Sequence, residues 1–150
     1  MVPHIIVLGD MTVVTNDFEI VRELSGAPHV SVIHTGGQLD HANLSSVGPL
    51  AAATLGQLAL DLAFISASSW ELRRGVTTPS SPKVQVKLAA MEAASRTVLA
   101  VSSSKYGIFG LHKVAALERF DLVITDDGLP PDAALGIRQS GIELDLASVS

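Results

Sequence analysis

The 150-residue chain contains no cysteine. That absence removes disulfides, thiolate nucleophiles and thiolate metal ligands together. Charge is also scarce, at 17% of residues against 47% apolar. Intrinsic disorder needs the opposite balance and is excluded. A long hydrophobic run is missing too, although the mean hydropathy is +0.40. The longest charge-free stretch, Ala42 to Leu60, is broken by Asn43, Ser45, Ser46, Pro49, Thr54 and Gln57. It falls short of the roughly 20 predominantly apolar residues that a membrane span requires. No basic region followed by an apolar one opens the chain, so no signal peptide is visible. These absences leave a soluble, cytoplasmic protein as the expectation. The length suits one domain, which buries roughly two thirds of its unfolded surface.

The net charge of −5 is unevenly spread. Residues 1–70 hold one cation, Arg22, against six acids, and residues 120–150 hold Arg138 against six more. Residues 71–119 hold eight cations, among them Arg73, Arg74, Lys83, Lys87, Lys105 and Lys113, against three acids. An acidic chain is a poor nucleic-acid binder, because phosphate neutralisation supplies most of that affinity. A cationic stretch within it fits a small anionic ligand, or else a set of solvated helix faces.

Short apolar runs at Thr12–Thr15, Val30–Thr35, Ala63–Ser66, Thr97–Val101, Leu122–Thr125 and Ile142–Leu146 read as strands buried on both faces. Helical signals lie between them. Asn16 or Asp17 caps a helix through Phe18 and Leu24 that stops at Gly26. Val47 to about Leu60 reads as a helix, Ser81-Pro82 opens another to about Ser95, and Leu111–Arg119 reads as a shorter one. Pro130-Pro131-Asp132 starts a last helix, closed by Gly141. Alternation without hairpin signals predicts a three-layer α/β domain with a parallel sheet. Ser68–Ser81 lacks periodicity and reads as a long loop of the kind that orders on binding a ligand.

Open parallel sheets bind ligands beyond the carboxyl ends of their strands. Those ends here carry Thr15-Asn16, Thr35-Gly36-Gly37, Ser66-Ala67-Ser68-Ser69, Ser102-Ser103-Ser104-Lys105 and Asp126-Asp127-Gly128. Hydroxyls, amides, glycines, a lysine and carboxylates converging at one rim suit a polyhydroxylated anion such as a sugar phosphate. Each also has a local explanation. Asn16 and Asp126 suit helix caps, Gly36-Gly37 a turn with positive φ, and Ser102–Ser104 an ordinary polar loop. No Gly-x-Ser-x-Gly elbow, P-loop or complete dinucleotide fingerprint is present, and the five histidines show no His-x-x-x-His spacing. Neither a cofactor nor a metal is therefore expected. Lys105 with Asp126 remains a possible acid–base pair for a sugar-phosphate isomerase.

The motifs Thr12–Asn16 (TVVTN), Thr35–Gly37 (TGG), Val47–Pro49 (VGP), Ala63–Ser68 (AFISAS), Gly75–Pro79 (GVTTP), Ser103–Gly107 (SSKYG) and Ile124–Asp126 (ITD) run in an order that resembles the effector-sensing domain of DeoR-type transcription repressors. The resemblance spans about Met11 to Ala147. It implies the fold of ribose-5-phosphate isomerase, glucosamine-6-phosphate deaminase and the CoA transferases. It also implies a phosphorylated sugar effector that releases an attached DNA-binding domain from its operator. By position, Thr15, Asn16, Gly36, Gly37, Lys87, Lys105 and Asp126 would line or support the effector pocket, with Ser66 added from the strand ends. A homo-oligomer is expected, and an oligomerisation role is the third reading beside sensor and enzyme.

The chain also departs from that pattern. No helix-turn-helix is readable, so DNA would be met only through a domain outside these residues. The Asp-x-Gly-Thr-Thr phosphate loop that precedes the TVVTN strand has no counterpart in Met1–Asp10, as in a fragment or shortened relative. Pro82-Lys83 replaces an acidic pair, and Ser102 stands where Asp is usual. The catalytic Glu of the isomerases is absent from this region, so no enzyme activity is expected.

Overall fold

The computed structural model describes residues 1–149. Along the chain it contains α1 (Val2–Leu8), β1 (Thr12–Thr15), α2 (Phe18–Leu24), β2 (Ser31–His34), β3 (Gln38–Asp40), β4 (Ser45–Val47), α3 (Gly48–Leu55) and β5 (Leu60–Ile65). There follow β6 (Ser69–Glu71), β7 (Gly75–Thr78), α4 (Ser81–Ala93), β8 (Ala94–Ala100), β9 (His112–Ala115), β10 (Leu122–Asp126), α5 (Pro131–Gln139) and β11 (Leu144–Ala147). Local chemistry explains the helix ends. The Asp17 carboxylate accepts from the Ile20 N–H at 3.0 Å and caps α2. Pro49, Pro82 and Pro131 stand in first turns, where a missing N–H costs nothing.

The central sheet is parallel, with strand order β11-β10-β8-β5. β1 and β2 form a separate parallel pair. Side chains of β1 alternate between faces. Val13 packs with Val2, Leu24, Ala27 and Val30 of the α1–α2 side, and Val14 with Ala51, Leu55 and Val86 of the α3–α4 side. The three layers are thus visible in two adjacent valines. The main core lies on the four-stranded sheet, where Trp70, Val76, Leu99, Leu117, Val123 and Ile137 are almost fully buried.

Three expectations are corrected. Leu111–Arg119 is not a helix: β9 occupies His112–Ala115 and a 3-10 turn Leu117–Arg119. Ser68–Ser81 is not an open loop but the hairpin β6–β7, whose Val76, Thr77 and Thr78 are buried. The expected parallel sheet is present, and beside it β7 pairs antiparallel with both β6 and β9, and β3 with β4. Pairing with β7 overrides the helical preference of the Leu111 segment, as tertiary context often does. Gly75 permits that pairing: it has φ +73°, and a Cβ there would stand 2.2 Å from the Ala115 carbonyl oxygen. The helix expected from Val47 to Leu60 is shorter, because Leu60 already belongs to β5.

Trp70 ties this hairpin to the rim. Its indole N–H donates to the Ser102 carbonyl at 2.9 Å, and its ring meets Tyr106 edge-on at 4.8 Å. Trp70→Ala is expected to cost about 3–5 kcal/mol. Urea unfolding followed by far-UV circular dichroism measures it, and a loss below about 1 kcal/mol would contradict this role.

Candidate functional site

A cavity of about 1980 Å³ opens between the β1–β2 pair and the edge of β5. One end is polar. Thr15 and Asn16 line it at the end of β1, Ser66, Ala67 and Ser68 in the segment after β5, Thr78 from β7, and Lys83 and Lys87 from α4. The walls elsewhere include Val14, Ile33, Leu62 and Phe64.

Lys87 is half-buried, and its ammonium donates to the Ser66 carbonyl at the end of β5. Among the described residues it has no carboxylate partner. Burial holds its pKa down to about 8, and the like charge of Lys83 one turn earlier adds to the effect. Lys83 is itself paired with Asp40 at 3.0 Å. That contact is the leading reason the Asp40 carboxyl sits below its ordinary range. The polar end therefore presents a cation with no counter-charge, beside hydroxyl groups and an amide. Such a group favours an anion, which would relieve the cost of burying it.

The residues expected at the rim divide into two sets. Thr15, Asn16, Ser66 and Lys87 come together in the cavity wall; Gly36, Gly37, Lys105 and Asp126 are not in it. The Asn16 amide donates to the Ser46 carbonyl at 2.9 Å, so it also fastens β4. Gly37 serves packing: a Cβ there would stand 3.0 Å from the Val47 carbonyl oxygen and 3.1 Å from Ala51 of α3. Lys105 is exposed, at the end of a 3-10 turn. Asp126 accepts from the Ser103 N–H at 2.8 Å, from the Ser103 hydroxyl and from the Gly128 N–H at 3.1 Å. It therefore organises the loop after β8. Sequence reasoning overlooked Lys83 and Thr78 as wall residues. The i,i+4 spacing of Lys83 and Lys87 was the available signal, since it places both on one face of α4.

The Ser103 bonds, the hydroxyl's first, hold the Asp126 carboxyl down to about 2. A folded pKa below the unfolded one stabilises the fold above the unfolded value, and that support fades as pH falls through the folded value. Stability is thus expected to decline between pH 3.8 and about 2 through this group. Asp126→Asn should flatten that part of the pH–melting curve. An unchanged acid limb would show that Asp126 does not bear on it.

A family model described as the DeoR C terminal sensor domain matches residues 1–127. The chain is 43% identical over 141 residues to the uncharacterized HTH-type transcriptional regulator YgbI of Escherichia coli K12, covering 94% of the chain and 55% of that protein. It is 41% identical over 136 residues to an uncharacterized HTH-type transcriptional regulator of Haemophilus influenzae, covering 91% and 53%. It is 31% identical over 120 residues to the transcriptional repressor AccR of Agrobacterium fabrum, covering 79% and 46%. The chain thus spans about half the length of the curated relatives it matches.

Proposed function

Because the chain belongs to the DeoR family of transcriptional regulators, as its C-terminal sensor domain, we propose that the polar end of the cavity binds a phosphorylated sugar. Occupancy is read out by a DNA-binding domain outside these 150 residues. The observation that carries the reading is Lys87, a half-buried cation without a carboxylate partner among the described residues, in one cavity wall with Thr15, Asn16, Ser66 and Thr78. A phosphate supplies the missing charge, and the hydroxyls and amide match sugar hydroxyls. An effector shifts a regulator only by binding its two conformations unequally. The cavity lies between two separately paired sets of strands, so a ligand touching Thr15 and Lys87 together bears on how those sets are spaced.

The isomerase alternative gains nothing from the geometry. Asp126 accepts from Ser103 and Gly128 and so holds the loop after β8, and no contact joins it to Lys105 among the described residues. A homo-oligomer belongs to the same sensor reading, with exposed Ile108, Phe109 and Leu111 as apolar surface for it.

Calorimetric titration against phosphorylated and unphosphorylated pentoses and hexoses tests the proposal. One phosphorylated sugar should saturate the site, and Lys87→Met should weaken it about 10–100-fold, the value of one charge-assisted hydrogen bond. Binding an anion raises the Lys87 pKa from about 8. Affinity should therefore fall as pH rises above that value, with proton uptake on binding. Equal affinity for the unphosphorylated sugar, or indifference to Lys87→Met, would overturn the reading.

A further inference from the structure

The segment from Tyr106 to Leu111 is held as a strap across the β6–β7 hairpin. Tyr106 bridges Trp70 on β6, and the Gly107 N–H donates to the Trp70 carbonyl at 3.0 Å. The Gly110 N–H donates to the Thr77 hydroxyl of β7 at 2.8 Å. The chain then pairs as β9 on the side of β7 away from β6, so it has crossed the hairpin. Gly110 permits the crossing, because a Cβ there would stand 2.5 Å from the Thr78 carbonyl carbon. Between these anchors Ile108 and Phe109 remain 50% and 58% exposed, and Leu111 follows at 85%. Single exposed apolar residues are ordinary. Three within four positions, on a segment fixed at both ends, form a patch that cannot fold back to hide.

Cations flank this patch. The Arg74 guanidinium lies over the Phe109 ring, 4.0 Å from its centroid, and also holds Glu71 at 2.7 Å. Arg73 stands beside it in the hairpin turn, Lys105 precedes the strap and Lys113 follows it. All three are exposed, with no carboxylate partner among the described residues. A strap packed on another strap would set these cations against one another, which is destabilising. The surface that suits the patch is therefore apolar and acidic.

The chain carries such a surface next to the strap. Helix α5 leaves Leu135 54% exposed. Asp132, three residues earlier on the same face, is exposed and unpaired among the described residues. Asp127 before α5 and Glu143 and Asp145 after it are exposed as well, whereas Arg138 turns back to the Leu144 carbonyl at 3.4 Å. The Gly136 flank of α5 abuts the hairpin turn, where a Cβ would stand 3.4 Å from the Leu72 side chain, one residue before Arg73. A basic apolar patch and an acidic apolar helix thus lie side by side. Two such halves are self-complementary about a two-fold axis, because each basic half meets the acidic half of the other copy. We propose that a second copy of this chain docks here, its α5 covering Ile108, Phe109 and Leu111 while its own strap covers Leu135 in return. The proposal rests on the homo-oligomer reading above and gives that oligomer its contact; it is independent of the effector.

Sedimentation equilibrium of the 150-residue chain tests it. A dimer should form, and should weaken as salt rises from about 0.05 to about 0.5 M, since exposed charge pairs are screened. Phe109→Ser, at an exposed position, should leave the far-UV circular dichroism unchanged and raise the dimer Kd at least about tenfold. Arg73→Glu and Asp132→Lys should each weaken the dimer, and the two together should recover affinity, because the reversed pair attracts again. A dimer indifferent to Phe109→Ser, or one that the paired reversal weakens further, would overturn this contact and leave the homo-oligomer standing. A monomer at every concentration would overturn both.

Discussion

The bonds between Asn16 and Ser46 fasten one set of strands to the rest of the molecule. The Ser46 N–H donates to the Asn16 carbonyl at 2.8 Å, and the Asn16 amide returns a bond to the Ser46 carbonyl at 2.9 Å. Phe18 adds a third, to the Leu44 carbonyl at 3.0 Å. The described strands give no ladder between β1 and β5. What spans that separation is the β3–β4 ribbon, then α3, then α4 packed on β5. A short antiparallel ribbon thus does for position what sheet hydrogen bonds would otherwise do. It also explains why Gly37 matters although it is absent from the cavity wall: any larger residue there would push the ribbon off α3.

Groups from separate elements meet at the rim. Asn16 and Thr15 belong to one strand set, Ser66 and Ser68 to the other, and Lys83 and Lys87 stand on the helix between them. Lys83 is tied to the ribbon through Asp40, while Lys87 is tied to β5 through Ser66. Two lysines four residues apart therefore connect the ribbon and β5. A ligand that draws Lys87 away from Ser66 changes the link between the two.

Much of the fold was legible because its signals are local. The β1 run was read at its observed bounds, and helix α2 from a cap at Asn16 or Asp17, of which the structure uses Asp17, since neither depends on distant residues. The errors fell where distant residues decide. β9 carries a sequence that suits a helix and becomes a strand only because β7 is already there to pair with it. The Ser68–Ser81 segment has no period because its hairpin is short and Trp70, Val76, Thr77 and Thr78 are all buried, which erases the alternation a strand with one solvated face shows. At the rim, residue type suggested ligand groups but not which side chains are already engaged. Asp126 and Lys87 look alike in sequence, each a charged residue near a strand end or helix turn. The structure separates them by their partners: Asp126 accepts from Ser103, and Lys87 has no carboxylate partner among the described residues.

The same logic of satisfied and unsatisfied groups explains the two ends of the cavity. At the polar end the open valence is charge, held by the ammonium group of Lys87. Elsewhere the cavity walls include Val14, Ile33, Leu62 and Phe64. The two characters meet at Ser66, just beyond β5, where Lys87 donates to the backbone carbonyl, so the ammonium group without a carboxylate among the described residues also holds the end of that strand.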